Sequence, residues 1–347
     1  MCTSEHSVTS YRAVGLQTAC HSVSGCEPAE ARDRIVAALD RIDGQIRSTK
    51  AFVGPDLRLV VLPEYVLTGF PMGHSPSQWI AAACLDPDGD EYRRVGEIAA
   101  ANDVWLCLNA YETDPHFEGL YFQACVIVAP SAEVVARYRR LNSMFAPTPH
   151  DVWDRYLEVY GLDGVFPVAR TPIGNLAPIA SEEILYPEIV RCFALRGAEI
   201  FAHSTAEASS AQDTVKSITR RARAIENMAY VVCANTAGMT GTALPAGSTD
   251  GGSCVIDFEG RVLAQAAAGE SMTATAEIDL AALRRARRRP GMANLLSRQR
   301  YEAVAASYGA ARSYPPNTLA GGPPTGREHF VRTQQETIAR LDADGLI

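Results

Sequence analysis

Short apolar runs alternate along the chain with longer segments whose apolar residues recur at helical spacing. The apolar runs are rich in Val, Ile, Leu and Cys and have the length of strands; they span 13–19, 57–62, 104–110, 122–128, 176–180, 199–202, 230–234 and 253–257. Helices are predicted at 28–47, 91–101, 186–196 and 212–228. In the first of these, Ile35, Leu39, Ile42 and Ile46 share one face, and Pro28 suits a first-turn position.

Two hairpins are predicted beside this α/β pattern. One joins 122–128 to 134–138, and the other joins 253–257 to 273–278 through the turn Phe258-Glu259-Gly260. The mixture predicts an α/β fold in which helices are layered over sheets. No linker-like composition occurs before about residue 312, so 10–312 is predicted to be one domain.

The C-terminal tail, 313–347, differs in composition. Its Pro/Gly-rich part, 313–326, is predicted to form no core element, and 328–341 is predicted to be a terminal helix. A tail of this kind is expected to pack on a partner subunit.

Composition and charge exclude several classes of protein. Of the 347 residues, 47% are hydrophobic and 21% are charged, which is typical of a globular chain rather than a disordered one. No apolar run approaches the roughly 18–20 residues that a membrane-spanning helix needs. The first ten residues lack a basic region ahead of an apolar one, so no signal peptide is expected. The net charge of −8 argues against nucleic acid as a partner.

Cysteine and lysine usage narrows the chemistry. The nine cysteines form no CxxC pair, which favours reduced thiols in a cytoplasmic protein over disulfides or a zinc site. No metal-ligand spacing and no nucleotide-binding glycine pattern occurs, so neither a metal nor a cofactor is expected. Among the 32 basic residues only Lys50 and Lys216 are lysines.

Three segments place polar residues where a predicted strand ends, which is where α/β sheets build ligand sites. The strand 57–62 runs into Glu64, the strand 134–138 is followed by Arg139 and Arg140, and the strand 176–180 ends in the elbow Ser181-Glu182-Glu183. Each has a simpler interpretation. Glu64 suits a surface or capping residue, the two arginines suit a solvated basic edge, and Ser181 suits a turn or helix cap.

Five short motifs follow one another along the chain: 63–69 (PE-x-x-x-x-G), Tyr138 with Arg139, 186–199 (YPE…R…GAE), 223–227 (RA-x-EN) and 251–257 (G-x-S-x-x-x-D). In this order and spacing the chain resembles the nitrilase superfamily of carbon–nitrogen hydrolases from about Ala13 to the arginine run at 284–289. The resemblance implies a four-layer α-β-β-α sandwich. It also implies a homodimer or a larger homo-oligomer.

The resemblance further implies a catalytic triad of glutamate, lysine and cysteine acting on amides or nitriles. Carried onto this sequence, the glutamate position falls on Glu64, the lysine position on Arg140 and the cysteine position on Ser181. Of the lysines, Lys50 precedes the first catalytic strand and Lys216 lies within a predicted helix, so neither is expected to replace the missing one.

The two departures change the expected chemistry. A serine hydroxyl is far less acidic than a thiol, and a carboxylate is a weak base for it. Arginine keeps a positive charge but does not lose a proton. Cys125 and Cys192 are interpreted as buried thiols rather than as substitutes for the nucleophile.

Further candidates surround this triad. Glu182 and Glu183 adjoin Ser181, and the resemblance places an acidic residue at the position of Glu183. These carboxylates could do acid–base work with Glu64 and Arg140, or they could simply pair with arginines. His150 with Asp151 follows Arg140, where the family often has a second glutamate, and His203 follows a strand; each histidine is a substrate-binding candidate with a structural role as the alternative.

Two functions are therefore predicted from the sequence. The first is an enzyme acting on a small-molecule C–N bond of amide, nitrile or N-carbamoyl type, through hydrolysis or a related non-hydrolytic reaction. The second is a catalytically inactive homologue with a binding or partner-subunit role. An active site requires Glu64 and Ser181 to converge with Arg140 pointing inward.

Overall fold

The computed structural model describes residues 8–208, 213–324 and 326–347. Residues 1–7 and Gln212, on which parts of two sequence predictions fall, lie outside this range. The strands are β1 (Ser10–Gly15), β2 (Cys20–His21), β3 (Leu57–Val61), β4 (Trp105–Thr113), β5 (Tyr121–Val128), β6 (Val134–Arg139), β7 (Ala169–Thr171), β8 (Gly174–Ala180), β9 (Ile200–Ser204), β10 (Tyr230–Ala234), β11 (Met239–Thr240), β12 (Cys254–Ile256), β13 (Val262–Gln265) and β14 (Thr275–Asp279).

The α-helices of the same range carry the apolar faces that cover these strands. They are α1 (Pro28–Val53), α2 (Pro76–Ala83), α3 (Asp90–Asn102), α4 (Trp153–Val165), α5 (Pro187–Leu195), α6 (Val215–Asn227), α7 (Leu280–Arg288), α8 (Tyr301–Ala310) and α9 (Arg327–Ala343). As predicted, α1 begins at Pro28, and α5 begins at Pro187, because proline needs no amide partner in a first turn.

Two six-stranded sheets form the centre of the molecule. Their strand orders are β14-β1-β3-β4-β5-β6 and β13-β12-β10-β9-β8-β7. In the first sheet β1, β3 and β4 are parallel, and in the second β8, β9 and β10 are parallel. The parallel strands of each sheet therefore bring their carboxyl ends to one edge.

Three apolar clusters show the order of the layers. Ile35 of α1 packs with Val60 on the outer face of the first sheet. Leu59 points the other way and packs with Val232 of β10, so the two sheets face each other. Phe193 of α5 packs on the outer face of the second sheet. The fold is the predicted four-layer α-β-β-α sandwich.

Gly15 lies where main chains of the two sheets approach each other closely. A Cβ atom at this position would lie 2.0 Å from the carbonyl oxygen of Cys233 in β10. Only a residue without a side chain allows the main chains of β1 and β10 to come this close.

The predicted hairpin between 253–257 and 273–278 is wrong. The turn at Phe258–Gly260 is present, but β12 pairs through it with β13. The later segment, β14, pairs antiparallel with β1 in the other sheet. The strand β13 is only four residues long and largely exposed, and nothing local in its sequence marks it as the partner of β12.

The C-terminal tail contributes to the core of its own chain. Leu319 is buried in a cluster with Phe117 and Phe122, and Phe330 of α9 is buried as well. As predicted, the described residues of 313–326 form no helix or strand, yet Leu319 from this irregular segment packs in the core. Packing of the tail on a partner subunit stays a prediction.

None of the helices in the described part of the chain is both long and apolar enough to span a bilayer.

Candidate active site

The predicted site residues lie where strands of the two sheets end. Glu64 follows β3, Arg140 follows β6, and Ser181 follows β8. The two edges are joined directly, because the Glu64 amide donates to the carbonyl of Thr205, the residue after β9, over 3.2 Å. The topology thus brings residues far apart in sequence to one place.

Glu64 is a buried carboxylate whose two oxygens both accept hydrogen bonds. Its exposed fraction is 1%. Oε1 accepts from Gln123 Nε2 at 2.9 Å and from Arg140 Nη1 at 3.3 Å. Oε2 accepts from the Ala206 amide at 3.0 Å. The carboxylate is thereby held in one orientation by donors from both sheets.

Arg140 points inward and is 6% exposed. Besides Glu64, its Nη1 donates to Gln123 Oε1 at 2.6 Å and to the Tyr65 hydroxyl at 3.2 Å. Its Nη2 forms an ion pair with Glu182, which adjoins Ser181. Burial opposes the charged form, but Tyr65 and Glu64 raise the pKa of Arg140 above its ordinary value. The guanidinium therefore stays charged and bridges Glu64 to the Ser181 elbow.

The interpretation of Arg139 and Arg140 as a solvated basic edge is wrong. Arg139 is 4% exposed and forms ion pairs with the buried carboxylates of Glu112, at 2.9 Å, and Asp114. Arg137 also pairs with Glu112. From a sequence alone, charged residues at strand ends are expected to be exposed to solvent. Here their positive charges are buried and are neutralised by acidic residues of β4 and of the loop after it.

Ser181 lies in a strained turn between β8 and the short 3₁₀ segment Ser181–Leu185. Its φ is +48°, a left-handed conformation that non-glycine residues rarely adopt, and its exposed fraction is 5%. The carbonyl oxygen of Ser181 is 2.8 Å from His203 Nε2. The residue is therefore fixed by its neighbours rather than placed as a cap on the surface.

The hydroxyl of Ser181 accepts a hydrogen bond from Lys216. Lys216 Nζ is 3.1 Å from Ser181 Oγ and 3.1 Å from Thr205 Oγ1. It comes from the first turn of α6, which follows β9 and returns over the carboxyl ends of the second sheet. The expectation that neither lysine contributes to the site is wrong for Lys216.

His203 uses both of its ring nitrogens within the protein. Arg220 Nε donates to Nδ1 over 3.3 Å, so Nε2 carries the proton and donates to the Ser181 carbonyl. Burial lowers the pKa of His203, which favours this neutral form. Arg220 is in turn paired with Glu207. His203 adjoins the site as predicted, but its polar atoms hold Ser181 and do not face a ligand.

Glu183 is fully buried behind the Ser181 elbow. It accepts hydrogen bonds from the Tyr138 hydroxyl at 2.7 Å and from the amides of Leu141 and Asn142 at 2.7 and 3.0 Å. Burial outweighs these donors and raises the pKa of Glu183 to about 7. The side chain fixes the segment that carries Arg140.

Among the described residues, His150 contacts neither Glu64 nor Ser181. Its ring lies 5.8 Å from that of Trp153 and 6.3 Å from that of Tyr314 in the tail. Asp151 accepts from the amide and hydroxyl of Thr148 and so begins a helical turn. The prediction that His150 lies with the triad positions therefore lacks support from the contacts.

Neither of the two cysteines considered as substitutes contacts the Ser181 side chain within the described residues. Cys125 is fully buried within β5, and burial raises the pKa of its thiol. Cys192 is half-buried rather than buried, and burial raises its pKa too. Within the ranges that the structure describes, no cluster of three or more His, Cys, Asp or Glu side chains is arranged to hold a metal ion.

Sequence reasoning missed several side chains that contact the triad positions or their supports, among them Tyr65, Gln123, Thr205, Lys216 and Arg220. Lys216 carried a signal, since lysine occurs only twice in the sequence. Its position within a predicted helix, rather than at the end of a strand, does not by itself show that it reaches Ser181.

Comparison with known proteins identifies the family of this chain. The family model described as carbon-nitrogen hydrolase matches residues 28–288. A formamidase from Pseudomonas syringae pv. syringae (strain B728a) is 26% identical over 262 residues, which cover 75% of this chain and 71% of that protein. A formamidase from Bacillus cereus (strain Q1) is 27% identical over 252 residues, covering 72% and 70%.

Solved structures share the fold. The carbon-nitrogen hydrolase from Helicobacter pylori G27 superimposes with a TM-score of 0.66 at 22% identity, covering 87% of this chain and 99% of that one. Nit3 from Saccharomyces cerevisiae, a member of the nitrilase superfamily, gives a TM-score of 0.61 at 19% identity, covering 82% and 96%. This chain belongs to the carbon-nitrogen hydrolase family and is a hydrolase-like enzyme acting on C–N bonds.

Proposed function

We propose that this protein hydrolyses small amides at a modified site in which Glu64, Arg140 and Ser181 take the three triad positions. The observation that carries the proposal is the convergence of these residues. Arg140 contacts Glu64 with one nitrogen and Glu182, the neighbour of Ser181, with another. A hydrogen-bonded path thus runs from the glutamate position to the elbow that presents the serine.

The substrate class comes from the relatives. The two Pseudomonas and Bacillus proteins named above are formamidases, and a structural neighbour from Nesterenkonia sp. is an amidase. Short neutral amides are therefore the first substrates to test, ahead of nitriles and N-carbamoyl compounds. Arg140 is suited to bind a carbonyl oxygen or the oxyanion formed from it, because its guanidinium is charged and desolvated.

A second candidate is an inactive homologue with a binding role. It is favoured by the ion pairs of Arg140 with both Glu64 and Glu182, which occupy the space between them in the structure. Substrate would have to displace at least one of these contacts to reach the carboxylate.

The test is ammonia release from formamide, acetamide and butyramide by the purified protein. Ser181→Ala and Glu64→Gln should each reduce kcat/KM by at least about 100-fold, as expected for loss of a nucleophile or a proton-transfer group. Ser131→Ala is the matched control, because Ser131 is an exposed serine on the turn between β5 and β6. Ammonia release that is unchanged in Ser181→Ala, or absent from the wild type with every substrate class, contradicts the proposal.

A further inference from the structure

Lys216 is the only described side chain that donates a hydrogen bond to the Ser181 hydroxyl. We propose that Lys216 is a further catalytic residue, which takes the proton of Ser181 Oγ and returns it to the leaving nitrogen. The inference rests on the proposed function, since it supplies the proton transfer that the modified triad lacks. In this proposal the catalytic lysine lies on the helix α6, whereas the lysine position of the resemblance follows a strand and is occupied by Arg140.

The other charged groups of the site are committed elsewhere. Both oxygens of Glu64 accept N–H donors, and no contact among the described residues joins Glu64 to Ser181. Arg140 does not lose a proton under ordinary conditions. His203 has both ring nitrogens in use. None of these three groups presents a lone pair to the Ser181 hydroxyl.

Lys216 differs from them in its neighbours. Across the described ranges, no carboxylate oxygen lies within 4.0 Å of Nζ, and its two hydrogen-bond partners are the hydroxyls of Ser181 and Thr205. The other lysine, Lys50, donates to two carbonyls and lies 3.7 Å from an Asp103 oxygen. A lysine that is not held in an ion pair can exchange its proton with an adjacent hydroxyl.

The helix α6 fixes this pair from two sides. Lys216 and Arg220 are four residues apart, so they lie on one face of the helix. Lys216 contacts the Ser181 hydroxyl directly, while Arg220 orients His203, which holds the Ser181 carbonyl. The strained φ of Ser181 removes further freedom. The reacting atoms are thereby placed before substrate binds, which is how enclosed sites reduce an activation barrier.

The reaction balances with water as the co-substrate. Neutral Nζ accepts the Oγ proton as Oγ bonds to the amide carbon, and the carbonyl electron pair moves onto oxygen. The C–N bond then breaks, the leaving nitrogen takes the proton from Nζ, and an ester remains on Ser181. Water attacks this ester and gives a proton to Nζ, which returns it to Oγ as the carboxylic acid leaves.

The experiment follows covalent labelling of Ser181 by a fluorophosphonate, measured by intact mass and located by peptide mapping. Labelling forms the Oγ–P bond and releases fluoride, with the hydroxyl proton passing to Nζ. We expect stoichiometric labelling of the wild type and none of Ser181→Ala. Lys216→Met and Lys216→Arg should each label at least about 100-fold more slowly, since a general base contributes about 10²- to 10⁴-fold. Lys50→Met is the control and should label like the wild type.

Lys216→Arg separates catalysis from a structural role. It keeps the positive charge and the donor but cannot act as a base, so a merely positioning role predicts labelling within a few-fold of the wild type, and that result would overturn the inference.

Failure of this inference is distinguishable from failure of the proposed function. Ammonia release with a wild type that is not labelled at Ser181, or with labelling indifferent to Lys216, overturns the inference and leaves hydrolysis established. Lys216-dependent labelling without ammonia release from any amide supports the inference and removes the amide assignment.

Discussion

Burial of Glu183 couples the stability of the protein to pH. Its pKa is raised from an ordinary value of 4.5 to about 7, chiefly because the carboxyl is removed from water. The folded protein therefore binds this proton more tightly than the unfolded chain does. The resulting stabilisation is fully present below pH 4.5 and is lost as the pH rises through 7.

The magnitude follows from the difference between the two pKa values. One pKa unit corresponds to about 1.4 kcal/mol, so a rise from 4.5 to about 7 corresponds to about 3 kcal/mol in the free energy of unfolding. Roughly 2–3 kcal/mol of this is lost between pH 5 and pH 8, because most of the folded-state ionisation occurs there.

Glu183→Gln removes the titrating group and keeps its contacts. The amide oxygen still accepts from Leu141 and Asn142, and the amide nitrogen donates to the Tyr138 hydroxyl, which can turn to accept. Urea unfolding of both proteins at pH 5 and pH 8 should show the wild type losing roughly 2–3 kcal/mol more than the variant. Glu118→Gln, which removes an exposed carboxyl, is the control. Equal losses in wild type and Glu183→Gln would refute the reasoning.

Three further outcomes are expected. Arg139→Met leaves buried Asp114 without its arginine partner and Glu112 with Arg137 alone, and it should lower the free energy of unfolding by about 3–5 kcal/mol in urea titrations; a loss below about 1 kcal/mol would show that the ion pairs are not stabilising. Arg140→Lys with Ser181→Cys should raise kcat/KM for short amides by more than the product of the single changes, because residues of one site act together; simple multiplication of the two effects would argue against it. Iodoacetamide should leave ammonia release by the wild type largely intact at pH 7, since burial raises the pKa of Cys192 and keeps it a thiol; rapid inactivation traced to one cysteine would show that Ser181 is not the nucleophile.

The strands and the order of their polar ends could be predicted from the sequence because each has a local signature. The strand 230–234 was predicted with the bounds observed, and the buried helix faces of α1 and α3 follow from apolar spacing. The helices α2 and α4 were not predicted, since each is short or irregular; α4 is interrupted at Gly161, whose φ is +62°. The pairing of β14 with β1 depends on contacts between distant segments, which no local pattern records.

The candidate site was predictable only in part for a similar reason. Glu64, Arg140 and Ser181 each follow a strand, and parallel strands end at one edge, so their proximity follows from the sequence pattern. The partners of these residues do not. That Arg139 is compensated by Glu112 and Asp114, or that Lys216 reaches Ser181, depends on how two layers face each other. The sequence identifies the charged residues, but it does not identify the residues that pair with them.

The contact at Gly15 sets the separation of the two sheets by main-chain atoms alone. Neighbouring strands in the same two sheets are β3, which leads to Glu64, and β9, which leads to Thr205. Because main chains in contact cannot approach further, repacking side chains between the sheets would not narrow the gap between these two residues. Adaptation to a larger or smaller substrate has to proceed through the loops and through α6, which lies in the helix layer outside the second sheet. The two sheets thus form a part of fixed dimensions, and the loops and α6 form the part that can change with the size of the substrate.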